Sequence, residues 1–144
     1  MRIAIGSDHA GVQFKALLSE HLAQQGHEVV DVGPQDATSV DYPDFAHRVT
    51  DALGEGQVDR GVLICGTGQG MAMSANKVPG VRAAVVADTF SAAMAMQHND
   101  ARVLCLGERV VGPGLAKSLL DAWLEATFEG GRHARRIGKM EGTG

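Results

Sequence analysis

The stretch Cys65-Gly66-Thr67-Gly68-Gln69-Gly70 sets a thiol at the mouth of a glycine-rich turn, directly after the apolar run Val62-Leu63-Ile64. A turn of this kind, closing a buried strand and opening a helix, brings backbone N–H groups up to an anionic ligand. It carries no lysine of the sort a nucleotide-binding P-loop uses. The amides of Gly66, Thr67, Gly68, Gln69 and Gly70 offer donors for an oxyanion, such as an enediolate or a carbonyl oxygen becoming negative. Those amides and the positive end of the following helix also favour a thiolate at Cys65. On residue type alone two readings of Cys65 stay open: a reactive thiol, or a small hydrophobe ending a buried strand. Cys105, between Leu104 and Leu106, reads as core.

Three further groups carry chemistry. Asp8-His9 leaves the first apolar run, where a carboxylate beside an imidazole can orient sugar hydroxyls and meet a phosphate; an Asx-type turn is the plainer reading. Gln97-His98-Asn99-Asp100 is a dense polar run in which His98 suits acid–base work near neutral pH, or simply ends a helix. In the tail, Arg132 and Arg136 fall one helical turn apart, a repulsion that a bound dianion turns into a clamp, while Arg135 points elsewhere. Arg109, in Gly107-Glu108-Arg109, either joins that clamp or pairs with a surface carboxylate. His21, His27 and His47 have no partners at metal-ligand spacing, so no metal site and no metal cofactor is expected. A dinucleotide fingerprint is missing after the first strand.

The elements that must position these residues alternate regularly. Strands are predicted at Ile3–Ile5, Glu28–Val32, Arg60–Cys65, Arg82–Ala87 and Val103–Leu106. Helices are predicted over 11–25, Asp44–Leu53, Gln69–Asn76, Thr89–Gln97 and Leu115–Phe128, with a short one over Arg132–Met140. Such alternation specifies an α/β fold: a three-layer αβα, Rossmann-like domain around a five-stranded parallel sheet, one domain over 1–144. Ligands of such sheets gather beyond the carboxyl ends of the strands. The loops leaving strands one and three, GSDHAG and CGTGQG, are therefore the expected site.

Composition bounds the partners. The chain has 144 residues and a formal net charge of −4, so general attraction to nucleic acid or an anionic membrane is not expected. No apolar run reaches the roughly 18 residues of a membrane span, and the start MRIAIGSDHAG lacks a secretory layout. Two cysteines without a framework suit a reducing cytoplasm. Aromatic residues at 4% argue against stacking on bases, and the 19 glycines argue for loops lined by backbone.

Taken together, GSDHAG at 6–11, DYPDFA at 41–46, CGTGQGMAMSANK at 65–77, QHNDARVLCLGERVVG at 97–112 and EGGRHARR at 129–136 resemble the type B ribose-5-phosphate isomerases. That family also holds allose-6-phosphate and galactose-6-phosphate isomerase subunits. The resemblance spans nearly the whole chain in order; Gln69 departs from the aliphatic residue more usual there. Because position 65 is cysteine and position 73 is Met73, the chain resembles the cysteine branch rather than the one with a glutamate base.

The resemblance implies an aldose–ketose isomerase of the pentose phosphate pathway that interconverts ribose 5-phosphate and ribulose 5-phosphate through an enediolate, without a cofactor. By the same resemblance Cys65 is the base, Thr67 and the turn amides of Gly66, Gly68, Gln69 and Gly70 hold the oxyanion, and His98 with Asp8 opens the furanose ring. Asn99 binds a sugar oxygen, Tyr42 lines the pocket, and His9, Arg109, Arg132 and Arg136 hold the phosphate. It further implies a homodimer or homotetramer with sites at the subunit interface, where His98, Asn99 and Arg109 serve a neighbour's Cys65. A six-carbon sugar phosphate such as allose 6-phosphate, or a sugar-phosphate-binding module without catalysis, remains an alternative.

Overall fold

The computed structural model describes residues 1–144. Five strands, β1 (Arg2–Ser7), β2 (Glu28–Asp31), β3 (Arg60–Cys65), β4 (Ala83–Val85) and β5 (Val103–Gly107), form one parallel sheet in the order β2-β1-β3-β5-β4. The three inner strands are apolar on both faces because helices cover both. On one face Ile3, Ile5, Val62, Ile64, Leu104 and Leu106 meet α1 (Val12–Gln24), α4 (Thr89–Gln97) and α5 (Pro113–Glu125). On the other, Ala4, Leu63, Cys65, Val103 and Cys105 meet α2 (Tyr42–Gly54) and α3 (Gln69–Asn76). The two-residue alternation of a strand thus points Cys65 toward α2 and α3.

The predicted elements are all present, with shifted ends. A 3-10 turn, His9–Gly11, precedes α1. The second helix begins at Tyr42, earlier than read, because Pro43 is tolerated in a first turn whose amides need no intrahelical partner. The fourth strand shrinks to Ala83–Val85, and Arg82 turns instead to Asp100 and Glu141. α5 runs from Pro113 and stops at Glu125, where the Arg60 guanidinium takes the carbonyls of Trp123 and Ala126. The last helix, α6, covers Arg132–Met140 as expected.

Sheet order fixes where a ligand crevice can open. β1 and β3 are neighbours, yet β1 leads into α1 on one face and β3 into α3 on the other. Their connections diverge, leaving a gap beyond the carboxyl ends of the two strands. The Asp8–Gly11 loop and the Cys65–Gly70 turn border that gap.

Candidate active site

At this switch point Cys65 ends β3, buried except for about a twentieth of its surface. Its Sγ accepts a hydrogen bond from the Gly68 N–H at 3.1 Å. Gly68 holds φ at +84°, the left-handed conformation that turns its amide back on the sulfur. The Gln69 N–H goes to Thr67 Oγ1 at 3.3 Å. Of the five amides the sequence offered for an oxyanion, two are therefore engaged within the turn. Those of Gly66, Thr67 and Gly70 have no acceptor in the chain. Cys105 is fully buried, and burial, with Cys65 nearby, pushes its thiol well above the ordinary range, which keeps it protonated and inert.

The loop after β1 lies against the same turn. The Asp8 N–H donates to the Ile64 carbonyl at 3.1 Å. The Asp8 side chain accepts from the Ala10 N–H at 2.9 Å, so the Asx turn is formed and the buried carboxylate keeps its remaining lone pairs for other donors. The Val40 N–H reaches His9 Nδ1 at 3.2 Å. An amide can only donate, so Nδ1 is the acceptor of a neutral His9 ring and the proton sits on Nε2. His9 is thereby fixed as a donor on its outer nitrogen, the form suited to a phosphate oxygen.

Tyr42 and Arg109 close the surround. A Cβ at Gly70 would stand 2.7 Å from the Tyr42 ring, so this aromatic rests directly on the first turn of α3. The Arg109 guanidinium lies 3.4 Å from where a Gly66 Cβ would be, and its amide donates to the Gly66 carbonyl at 3.1 Å. Arg109 thus sits over its own chain's turn, whereas the resemblance had it serving a neighbour's.

The remaining expected residues lie elsewhere. α4 runs antiparallel to the strands, so His98 and Asn99 fall at the amino ends, where Asn99 O accepts from Arg82 just before β4. The His98 ring stacks on His133 at 4.2 Å, which places the start of α6, with Arg132 and Arg136, at that end too. β5 alone puts about 13 Å between the two ends, at roughly 3.3 Å per residue. One chain brings together Asp8, His9, Tyr42, Cys65, Thr67 and Arg109; it does not bring His98, Asn99, Arg132 or Arg136 to them.

Spacing hid one cluster that the fold assembles: ligand atoms of His98, Glu129 and His133 lie within 4.8 Å of one another. The two imidazole planes are within 10° of parallel, so their nitrogen lone pairs run side by side instead of converging on one ion. Glu108 also went unread. It was discoverable only as the residue leaving β5 at the site end of the sheet.

An open α/β sheet with a thiol and free amides at its switch point is of the class that takes a small ligand beyond the strand ends and can act on it there. The profile of the Ribose/Galactose Isomerase family matches residues 3–140, and the chain belongs to that family. It is 48% identical over 136 residues to Ribose-5-phosphate isomerase B of Escherichia coli, covering 94% of this chain and 91% of that one. It is 45% identical over 142 residues to D-erythrulose-4-phosphate isomerase of Pectobacterium atrosepticum, covering 97% and 93%. The Clostridium thermocellum Ribose-5-Phosphate Isomerase B structure superposes with a TM-score of 0.97 at 51% identity, covering 99% of this chain and 96% of that one. The Mycoplasma genitalium Ribose-5-phosphate Isomerase B structure with bound Ribulose-5-phosphate gives 0.93 at 48%, covering 97% and 93%. The chain is an isomerase of this fold and family.

Proposed function

We propose that the protein interconverts D-ribose 5-phosphate and D-ribulose 5-phosphate. The observation that carries the mechanism is the Cys65 sulfur held by the Gly68 amide beside three unclaimed N–H groups. The Cys65 thiolate removes the proton from C2 of the open-chain aldose, and the electron pair moves to the C1 carbonyl oxygen. The Gly66, Thr67 and Gly70 amides and the Thr67 hydroxyl bind the resulting enediolate. The thiol returns the proton to C1 while the C2 hydroxyl passes its own to the C1 oxyanion, and the ketose forms with no net change in redox state. Asp8 and His9 face the sugar from the β1 loop, with His9 Nε2–H and Arg109 donating to the phosphate.

His98, Asn99, Arg132 and Arg136 enter from a second copy. His98 of that copy opens the furanose ring with Asp8, Asn99 binds a sugar oxygen, and the α6 arginines complete the phosphate grip. Two free cysteines suit the reducing cytoplasm, where a pentose phosphate pathway operates.

Purified protein is expected to turn over ribose 5-phosphate in the presence of a chelator, and Cys65→Ala to lower kcat by about a thousandfold or more, as removal of a positioned base does. Equal turnover by the alanine variant would remove the thiol from the mechanism. The Pectobacterium relative makes chain length a specific question. Parallel assays with four-, five- and six-carbon aldose phosphates answer it, and a higher kcat/KM on either of the others would displace ribose 5-phosphate as substrate.

A further inference from the structure

Glu108 leaves β5 at the site end of the sheet and has no part in the chemistry above. Its side chain crosses the end of β3 to α1, where Oε1 accepts the Phe14 N–H at 2.9 Å. Phe14 is the third residue of α1, and the N-cap of that helix, Gly11, supplies no side-chain acceptor. Glu108 therefore caps α1 from a distant part of the chain. At the same time its own amide donates to the Cys65 carbonyl at 2.9 Å. One residue thus joins the helix that begins at the Asp8–Gly11 loop to the strand end that carries the thiol.

This cap is placed against an electrostatic gradient. Burial raises the Glu108 carboxyl above the ordinary glutamate range, and the Asp8 carboxylate pushes it further the same way. The Phe14 amide and Arg109 oppose the shift. The Cys65 side chain points to the opposite face of the sheet. Gly11 has no room for a capping side chain, because a Cβ there would stand 2.7 Å from the Ile64 carbonyl oxygen, so the cap has to come from elsewhere in the chain. A long-range carboxylate does something a local cap cannot: it fixes the distance between two loops.

We propose that Glu108 is a positioning residue of the isomerase site, setting the Asp8–His9 loop in register with the Cys65 turn. The inference rests on the proposed isomerase mechanism, because only there must Asp8, His9 and Cys65 meet one substrate. Small displacements of reacting groups are enough to cost about a hundredfold in rate. The second copy's α6 arginines, and Arg109, whose amide stays on the Gly66 carbonyl, keep their hold on the phosphate when the Glu108 side chain is removed.

The test uses the full chain with Glu108→Ala, Glu108→Asn and Glu108→Gln. In Glu108→Ala, hydrogen exchange over 10–15 is expected to quicken by about tenfold or more as the cap opens. Its kcat on ribose 5-phosphate should fall by about tenfold to a hundredfold with KM within about threefold. Glu108→Asn, too short to reach Phe14, behaves the same and serves if the alanine variant does not fold. Glu108→Gln keeps an acceptor oxygen at the same reach and restores exchange protection and kcat to within about threefold of the parent. Wild-type kcat in a folded Glu108→Ala or Glu108→Asn protein, unchanged exchange in either, or a glutamine variant as slow as alanine overturns the proposal. If the parent protein turns over no sugar phosphate, the isomerase reading fails on its own and the positioning role falls with it; the exchange arm then still decides whether the cap exists.

Discussion

Gly68 does two things that no other residue type can do together. Its φ of +84° aims its N–H at the Cys65 sulfur, and the space where a Cβ would go is already taken. An alanine Cβ would lie 3.1 Å from the Leu106 carbonyl carbon and 3.2 Å from Val85 Cγ1. The left-handed backbone costs an L-residue about 1–2 kcal/mol before that crowding is counted. Gly68→Ala should therefore lower the thermal midpoint by several degrees and lower kcat by about tenfold or more, since the turn relaxes by swinging its amide off the sulfur. Thermal melting and steady-state kinetics check this together; a variant that is less stable but fully active would show that the sulfur does not need that donor. The thiol, the glycines and Thr67 were legible because each is a local signal on a strand-to-helix turn. Which amides remain free was not, since that depends on the left-handed Gly68 and on the Thr67 rotamer, and neither is set by residue type alone.

Element positions were legible wherever the hydrophobic period was unbroken, as in β3 and β5. They slipped where a distant group ended the element. The stop of α5 at Glu125 depends on Arg60, over sixty residues away in sequence, taking the last carbonyls. The docking of α6 is of the same kind. Its nine residues read as a basic tail, yet His133 is only 7% exposed, stacked on His98, while Arg82 holds Glu141 at 2.9 Å just past the other end. Burial pushes the His133 pKa below its ordinary value; His98, Arg132 and Arg136 press the same way and Glu129 opposes them. With the folded value below the unfolded one of about 6.5, the unfolded chain takes up the proton first. The stability His133 contributes is complete above about pH 6.5 and is lost as pH falls below it. Acidification from pH 7.5 to 5.5 should therefore lower the hydrogen-exchange protection factors over 132–140, taken relative to the intrinsic rate at each pH, before it lowers those of β1 or β3. His133→Phe, which keeps a stacked ring without a titrating group, should flatten that response, and an unaltered response in this variant would assign it to another group.

At the scale of the whole molecule, the sheet separates the expected site residues into two groups. The carboxyl ends hold Asp8, His9, Cys65, Thr67 and Arg109, and the amino ends hold His98, Asn99 and α6. Sequence order gave no warning of this, because adjacent motifs along the chain alternate between the two ends of a parallel sheet. Large apolar side chains are left bare at the end of the fold that holds the first group: Phe90 at the start of α4 is 72% exposed, Met73 on α3 is 64% and Val110 after β5 is 58%. Apolar surface beside an incomplete site is what a second copy would cover. In the two-fold pair that the proposed mechanism requires, each subunit would lend its amino-end cluster to the other's thiol, and two equivalent sites would form. Cys65→Ala and His98→Ala proteins should each be nearly inactive alone. Co-expressed in equal amounts, half of the dimers are mixed and one of their two sites is intact, which restores about a quarter of the parent activity. Sedimentation of the parent at assay concentration should show a dimer or a multiple of it. A mixture no more active than its components, or full activity in a monomer, would mean that His98 never reaches Cys65, and ring opening would then have to be assigned within one chain to Asp8 and His9.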